Sequence, residues 1–243
     1  MQVVICRDYA EMSSRAAHFI SERVMRKPHM VLGLATGETP VGMYAELSRL
    51  HREEGLDFSG LTTFNLDEYC GLAHDDPRSY HTFMADNLLS HVNLNPLLVH
   101  IPDGAALDAD GECARYEALI EAAGGIDLQV LGIGMNGHIG FNEPGTDRNS
   151  TTHVVQLARQ TVEVNQAKGG YDTLPGSAMS MGIGTIMKAR EIVLLASGDG
   201  KADIIKNALE GPVTPKTPAS ILQTHPSVVC FLDAAAASRL SKR

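Results

Sequence analysis

The stretch LGIGMNGHIGFNEPG, residues 131–145, carries a histidine, an amide and a carboxylate close together. They are His138, Asn136 and Glu143, and they span eight residues of a glycine-rich segment that follows an apolar run. A histidine takes up and releases protons near neutral pH. A lone histidine is more often structural, but these three residue types on one such loop favour acid–base chemistry.

The glycines of this stretch have the spacing G-x-G-x-x-G, which is typical of dinucleotide-binding turns. Such a turn must run straight into a helix, and Gly140, Pro144 and Gly145 disfavour a long helix here. The acid that would hold a ribose about 20 residues further on is also missing, since residues 150–160 contain neither Asp nor Glu. The sequence therefore predicts no dinucleotide cofactor.

Two adjacent acids, Asp67 and Glu68, follow another apolar run in the stretch NLDEYCGL, residues 65–72. Neighbouring side chains on an extended chain point in opposite directions, so at most one of the two faces a cleft. An unpaired carboxylate at such a point can act as a general base. An acceptor in a local turn is an equally good interpretation from these residues alone.

The stretch GLATGETPVGMY, residues 33–44, has the composition of a tight turn that enters a helix. Thr39 suits the N-cap and Pro40 the first turn, with Thr36 and Gly37 before them. Backbone N–H groups at a helix N-terminus bind anions, so the turn could form a phosphate cradle. A capped helix start without a ligand is the stronger interpretation when this loop is taken alone.

A fourth loop, ASGDGKADII at residues 196–205, places Lys201 near the start of a helix. Lys201 could supply a second phosphate contact. Taken alone, a solvated surface lysine is the simpler interpretation.

Seven short apolar runs predict the sheet that must position these loops. The predicted strands are 3–6, 30–35, 61–66, 97–101, 127–134, 191–197 and 227–232, and the predicted helices are 8–26, 41–54, 79–91, 108–123, 178–189 and 200–210. This alternation favours a single open, mostly parallel α/β sheet with helices on both faces, of the Rossmann-like class. Ligands of such sheets lie beyond the carboxyl ends of the strands.

No linker or repeat divides the chain, so we expect a single domain over residues 1–243. Residues 145–177 depart from the alternating pattern, since they contain several glycines around the short apolar piece HVVQL. We interpret this segment as a partly helical excursion within the domain, such as a lid.

Composition excludes several functional classes. Of 243 residues, 44% are hydrophobic, which is enough for a sizeable core. The formal net charge of -9 argues against nucleic-acid binding. Four scattered cysteines without zinc-ligand spacing are typical of reduced intracellular thiols. No apolar run could span a membrane and no signal peptide is evident, so we expect a cytoplasmic protein without a membrane partner.

Several stretches together resemble the glucosamine-6-phosphate deaminase family. They are LGLATGETP, TFNLDEYCGL with DDPRSYHTFM, GIGMNGHIGFNEPGT, and ALEG with PASILQTHP, and the resemblance extends from about Met30 to Asp233. It implies conversion of glucosamine 6-phosphate and water to fructose 6-phosphate and ammonia. It also implies a hexosamine phosphate as the small-molecule partner and neither a metal nor an organic cofactor.

The resemblance further implies residue roles. Asp67 matches the residue that transfers a proton between C2 and C1 of the open-chain sugar. His138 matches the acid–base group that opens the sugar ring, supported by Asn136 and Glu143. The residues that match phosphate contacts are Thr36, Gly37, Glu38, Thr39 and Lys201.

Some positions depart from the family pattern. Many relatives carry Asp at Asn136 and Gly or Ser at Glu38, whose charge is unfavourable beside a phosphate unless it points into solvent. The family's lid arginine falls on Ala167, and a one-residue slip would let Lys168 bind the phosphate instead.

Related proteins suggest alternatives. The 6-phosphogluconolactonases share the fold and a similar glycine-rich loop but continue differently after it, so a lactonase-like hydrolase is the nearest alternative. A sugar-phosphate sensor without catalytic activity is another. Hexameric, activated members carry Arg and Lys where this chain has His153 and Val155, so we expect an unregulated monomer or small homo-oligomer.

Overall fold

The computed structural model describes residues 1–241, apart from the side chains of residues 160, 164, 168 and 169. The strands are β1 (Gln2–Cys6), β2 (Val31–Leu34), β3 (Thr62–Asn65), β4 (Asp67–Tyr69), β5 (Val99–His100), β6 (Leu128–Leu131), β7 (His153–Gln156), β8 (Ser177–Ser180), β9 (Glu191–Ala196) and β10 (Val228–Asp233). The α-helices are α1 (Tyr9–Arg26), α2 (Glu38–Glu54), α3 (Tyr80–Asn87), α4 (Ala109–Ala122), α5 (Arg159–Gly169), α6 (Ile183–Met187) and α7 (Ala202–Glu210). Short 3-10 turns occupy Leu89–His91, Pro96–Leu98, Asp199–Lys201 and Pro218–Thr224.

The main sheet contains the seven predicted strands. Within the described residues their order is β1-β10-β9-β6-β2-β3-β5, and every pair is parallel. Every residue of β2, β6 and β10 is buried, so these strands are covered on both faces. The predicted open, mostly parallel α/β sheet is thereby confirmed.

The strand order brings the chemically interesting loops together. Strands β9, β6, β2 and β3 are neighbours in the sheet, and each is followed by one of the four loops. Because parallel strands end at the same edge, the four loops meet there. The chain reverses its direction across the sheet between β2 and β6, and ligands of such folds bind at this kind of switch point.

A second, antiparallel sheet is not predicted by the sequence. Its order is β4-β8-β7, and Ser180 lies opposite both Asp67 and His153. The predicted helix 178–189 is wrong over its first part, because β8 takes residues up to Ser180 and only α6 is helical. Residues 178–183 are all buried, so this run has no polar face from which a period could be recognised.

A small separate core ties this second sheet to the glycine-rich loop. It consists of the buried side chains of Tyr69, Leu72, Phe141, Leu157 and Ala178. The backbone N–H of Phe141 donates to Ser180 Oγ at 2.9 Å. The loop that follows β6 is therefore held directly against β4 and β8.

The segment 145–177 contains β7 and α5, so it is partly helical. Its function as a lid stays a prediction.

None of the helices within residues 1–241 is long and apolar enough to cross a membrane.

We expect Ser180→Ala to destabilise the protein by about 1–3 kcal/mol, because it leaves the buried N–H of Phe141 without its acceptor. Urea unfolding measures the change. Ser90→Ala, at an exposed serine, is the control and should change the free energy of unfolding by less than about 0.5 kcal/mol. Equal stability of Ser180→Ala and the wild type would contradict the proposed tie between the loop and the second sheet.

Candidate active site

A cavity of about 300 Å³ opens at the carboxyl ends of the central strands. It brings together most of the predicted site residues: Thr36, Gly37, Glu38, Thr39, Asp67, Asn136, His138 and Lys201. Glu143 does not line the cavity but contacts the side chains of Asn136 and His138. The side chain of Lys168 lies outside the described part of the structure, and Ala167 is exposed and does not line the cavity.

Helix α2 presents its first turn to the cavity. The N-cap is Gly37 with φ 94°, so the prediction that Thr39 caps the helix is wrong by two residues. Glycine adopts this positive φ without strain, which lets the chain turn sharply into the helix. No side chain caps α2, and its first-turn N–H groups can therefore donate to an anion.

Lys201 also lines this cavity and comes from the loop after β9. Its Nζ donates to the backbone oxygen of Ile133 at 2.7 Å. The loop is held in turn by the buried carboxylate of Asp233, which accepts from Gly198 N at 2.9 Å and from Ser197 Oγ at 2.5 Å. A cation and a helix N-terminus thus face one space, as binding of a phosphate requires.

Glu38 is the first residue of α2 and lines the cavity. An acid in the first turn is stabilised by the helix dipole, which gives this charge a structural reason. Its backbone oxygen accepts from the hydroxyl of Tyr9 at 3.0 Å, and the same hydroxyl accepts from Gly42 N at 2.8 Å. Tyr9 of α1 therefore fixes the start of α2.

Asp67 is the buried acid of the site, with 5% of its surface exposed. Burial raises its pKa to about 8, and the nearby charge of Glu68 adds to this effect, which the Thr36 side chain opposes. Since Asp67 lines the cavity, the free protein holds an uncharged carboxylic acid there at neutral pH.

Glu68 points away from the cavity, as the alternation of an extended chain predicts. Its carboxylate accepts from the backbone N–H groups of Tyr69, Tyr80 and His81 at 2.8–3.0 Å. The ring Nδ1 of His81 lies 2.8 Å from Glu68 Oε2. Glu68 is therefore satisfied at the start of α3, whereas its neighbour Asp67 lines the cavity.

The glycine-rich loop makes room for the ring of His138. A Cβ atom at Gly134 would lie 2.2–2.4 Å from three atoms of that ring, so only glycine fits there. Gly134 N donates to His138 O at 2.9 Å, and Gly137 N donates to Gly134 O at 3.0 Å. The loop closes on itself and does not enter a helix, in contrast to a dinucleotide-binding turn.

Glu143 stands behind His138. The Oε1 atom of Glu143 lies 3.7 Å from His138 Nδ1 and accepts a hydrogen bond from Thr161 Oγ1 at 2.6 Å. The other carboxylate oxygen, Oε2, accepts a hydrogen bond from Asn136 Nδ2. Burial opposes ionisation of Glu143, but His138, Thr161 and Asn136 together outweigh it and lower its pKa to about 2. The amide oxygen of Asn136 accepts from the backbone N–H of His138 at 3.2 Å and not from its ring.

Several lining residues are missing from the sequence prediction, notably Tyr80, Phe141, Thr161 and Asn165. Thr161 and Asn165 are one turn apart on α5. The sequence did not define this helix, because residues 145–177 show no clear apolar periodicity. Tyr80 follows Ser79, whose hydroxyl accepts from Thr82 N and caps α3. The sequence prediction of a helix over 79–91 located this start, but its proximity to the cavity arises only from the fold.

Comparisons with known proteins agree with this geometry. The family model of glucosamine-6-phosphate isomerases/6-phosphogluconolactonase matches residues 7–230. A glucosamine-6-phosphate deaminase of Halothermothrix orenii is 52% identical over 241 residues, 99% of this chain and 100% of its own length. The chain belongs to the family of glucosamine-6-phosphate isomerases and 6-phosphogluconolactonases. The predicted resemblance is thereby confirmed.

Two solved structures show how similar the fold of this chain is to known ones. A monomeric glucosamine-6-phosphate deaminase is 46% identical, with TM-score 0.96 and coverage of 98% of this chain and 100% of its own. The 6-phosphogluconolactonase from Trypanosoma cruzi is 22% identical, with TM-score 0.79, 99% of this chain and 97% of its own, and shares the fold alone.

The described residues contain no group of three or more His, Cys, Asp or Glu side chains that could hold a metal ion. The expectation of a reaction without metal or cofactor stays a prediction.

Burial of Asp67 should cost stability at high pH. Asp67 keeps its proton up to about pH 8 in the folded protein, whereas it loses it near pH 4 in the unfolded chain. Between these pH values the folded protein therefore binds more protons than the unfolded protein does. The free energy of unfolding therefore falls as pH rises through this window. Asp67→Asn, which is neutral at every pH, should be more stable than the wild type at pH 8 by at least about 1.4 kcal/mol, one pKa unit.

Denaturant unfolding at pH 5 and pH 8 measures this difference, which should shrink at the lower pH. Asp75→Asn, at an exposed aspartate, is the matched control and should show no such dependence. An Asp67→Asn protein that is less stable than the wild type at both values would contradict the raised pKa.

Proposed function

We propose that this chain converts glucosamine 6-phosphate and water to fructose 6-phosphate and ammonia, with Asp67 and His138 as its acid–base groups. The observation that carries the proposal is the cavity itself. In it a buried carboxylic acid and a histidine backed by a carboxylate lie beside a helix N-terminus and Lys201. Full-length relatives that are about half identical bear the name glucosamine-6-phosphate deaminase.

The phosphate binds at the first turn of α2 and to Lys201. Residues Thr36, Gly37, Glu38 and Thr39 form this turn, which supplies uncapped N–H groups and the positive end of the helix dipole. Binding of the phosphate end of the sugar holds the reacting carbons near Asp67 and His138. The free energy of phosphate binding thus serves to position the reacting groups.

His138 opens the pyranose ring. It takes the proton of the anomeric hydroxyl and delivers a proton to the ring oxygen, which leaves an aldehyde at C1. Glu143 is ionised and lies 3.7 Å from Nδ1, so it stabilises the positive charge that the ring acquires between the two transfers. Asn136 holds Glu143 in place.

Asp67 then moves a proton from C2 to C1. The aldehyde makes the C2 proton acidic, and a carboxylate on one face of the sugar can remove it and return it to C1. The amino group on C2 is a cation when protonated, and its approach favours the ionised form of Asp67. The raised pKa makes Asp67 a stronger base than an ordinary aspartate once it has lost its proton.

This transfer, together with a proton that passes from the nitrogen on C2 to the oxygen on C1, yields an imine at C2 and a hydroxyl at C1. Addition of water to the C2=N bond and loss of ammonia give the ketone of fructose 6-phosphate. Atoms balance with one water consumed and one ammonia released, and no electrons are exchanged.

The lactonase alternative has less support. Hydrolysis of a lactone needs an activated water but no proton transfer between two carbons, so it gives no reason to keep Asp67 buried and uncharged in the cavity. The similar lactonase structures are about 20% identical, compared with 46% for the deaminase. Because that deaminase is monomeric, we propose a monomer here as well.

The direct test is an assay of ammonia and fructose 6-phosphate on purified protein with chelator present. We expect both products in equal amounts.

Asp67→Asn should lower kcat by at least about 10²-fold, the usual scale for a positioned general base. It should also abolish exchange of the C2 proton with deuterium oxide, and retained exchange would exclude Asp67 as the base. A wild type that binds the sugar phosphate without releasing ammonia would favour the sensor.

His138→Gln separates ring opening from the later steps. We expect a loss of about 10²-fold or more in kcat on glucosamine 6-phosphate. A 4,5-dideoxy analogue lacks both hydroxyls that can close a furanose or pyranose ring, so the variant should process it nearly as fast as the wild type does. Equal damage on both compounds would show that His138 acts after ring opening.

Lys201→Ala should raise KM for glucosamine 6-phosphate by about ten- to hundredfold, because a charge-assisted hydrogen bond contributes about 1.5–3 kcal/mol. The effect on glucosamine should be much smaller, since it lacks the phosphate.

Lys168→Ala tests whether Lys168 replaces the family's lid arginine. If it does, the substitution should raise KM by a similar factor. If Lys168→Ala is silent and Ala167→Arg lowers KM, the lid contact has been lost.

A further inference from the structure

The carboxylate of Glu68 is buried directly next to Asp67 in the chain, with 1% of its side chain exposed. Its Oε1 accepts from the backbone N–H groups of Tyr69 and Tyr80 at 2.8 and 3.0 Å. Its Oε2 accepts from the backbone N–H of His81 at 3.0 Å and lies 2.8 Å from the ring Nδ1 of the same residue. A carboxylate only accepts hydrogen bonds, so this Nδ1 must carry a proton. Among the described residues, the ring of His81 is the one side-chain donor to Glu68.

Both partners of this contact are held in place. The ring of His74 stacks on that of His81, with centroids 3.9 Å apart and an angle of 10° between the planes. His74 Nε2 lies 3.1 Å from Asp103 Oδ1, which fixes the outer ring in turn. A Cβ atom at Gly104 would lie 3.1 Å from Glu68 Cγ, so the Glu68 side chain has little room to turn. The ring of His81 is therefore aimed at Glu68 by its surroundings.

The charge of Glu68 acts on Asp67. Burial is the main cause that raises the pKa of Asp67 to about 8, and Glu68 adds to it. An acid that loses its proton too reluctantly is a poor general base near neutral pH. Each N–H directed at Glu68 places the positive end of a dipole beside its charge and weakens the effect of that charge on Asp67. Only the donor from His81 belongs to a side chain, so it alone can be removed by substitution.

We propose that His81 is a positioning residue that sets the strength of Asp67 as a base through its hydrogen bond to Glu68. This inference rests on the proposed function, because it gives the contact a consequence for the step that Asp67 performs.

The other charged or titratable side chains near Asp67 do not interfere with a test. Those that line the cavity with it are Glu38, Tyr80, His138 and Lys201. Burial, with a smaller effect of the charge of Asp67, raises the pKa of the phenols of Tyr44 and Tyr116, which therefore stay uncharged. All these groups are retained when His81 is substituted, so their own titration cancels when a variant is compared with the wild type.

His81→Phe tests the inference, because phenylalanine keeps a ring for the stack with His74 and lacks the donor. We expect the pKa of Asp67 in the free protein, measured by carbon-13 NMR, to rise by about half a unit to one unit, less than for a charge in direct contact. His81→Leu also lacks the donor and should give the same direction. His81→Asn keeps a neutral donor near the position of Nδ1 and should restore the wild-type titration. His74→Phe, which keeps the stack and leaves Glu68 untouched, is the matched control.

The pH dependence of turnover gives a measurement that a purely structural role would not change. The value of kcat/KM follows the ionised fraction of the base in the free enzyme. The ratio of this value between His81→Phe and the wild type should therefore rise about three- to eightfold from pH 7 to pH 10, as a shift of half a unit to one unit requires. The range starts at pH 7 to limit protonation of histidine rings.

Several results would overturn the inference. They are a rate ratio that stays constant over this range, an unchanged pKa of Asp67 in His81→Phe, and an equal shift in His81→Asn or His74→Phe. The NMR titrations need no turnover, so they decide the role of His81 separately from the ammonia assay. A wild type that releases no ammonia would refute the proposed function, whereas an unshifted Asp67 would refute the role of His81 alone.

Discussion

The site depends on the burial of a single carboxylate, that of Asp67. This residue begins β4, and the second sheet and the glycine-rich loop enclose its side chain. A Cβ atom at Gly140 would lie 3.7 Å from Asp67 Oδ2, which shows how closely the loop approaches. Removal from water raises the pKa of Asp67 to about 8, and the folded protein therefore carries an acid that ionises only with help.

The adjacent carboxylate of Glu68 lies in a different environment from that of Asp67. Glu68 receives hydrogen bonds from backbone N–H groups at the start of α3, so its carboxylate oxygens are satisfied within the protein. Asp67 has no such set of donors among the described residues, and under the proposed function its partner is the cationic amino group of the substrate. An amino group next to the carbon that loses a proton provides this charge at the position where it is needed. Two neighbouring acids of similar chemistry are thus placed in different surroundings, which under the proposed function give them different roles.

The main sheet and the convergence of its loops could be predicted from the sequence, because each depends on local patterns. Short apolar runs located all seven strands, and parallel strands must deliver their loops to one edge. The second sheet could not be predicted in this way. Its strands β4, β8 and β7 are short, and β8 is buried in a run without alternation, so only partners distant in sequence define it.

The contacts of the site show the same limit. Motif residues such as Asp67 and His138 were visible because their types and spacing are unusual. Thr161 and Asn165 are ordinary polar residues on a helix, and only the fold brings them to Glu143 and Tyr69. The cap of α2 was misplaced because threonine is a good cap in general, whereas the sharp turn here requires the positive φ of Gly37.

A direct titration of Asp67 tests the central claim most directly. Carbon-13 NMR of aspartate-labelled protein, with the Asp67 carboxyl assigned by its loss in Asp67→Asn, gives its pKa in the free protein. We predict a value near 8 without ligand, and a lower one when a non-reactive amino-sugar phosphate places its ammonium group beside the carboxylate. A pKa near 4 in the free protein, unchanged by the ligand, would contradict this account of the site.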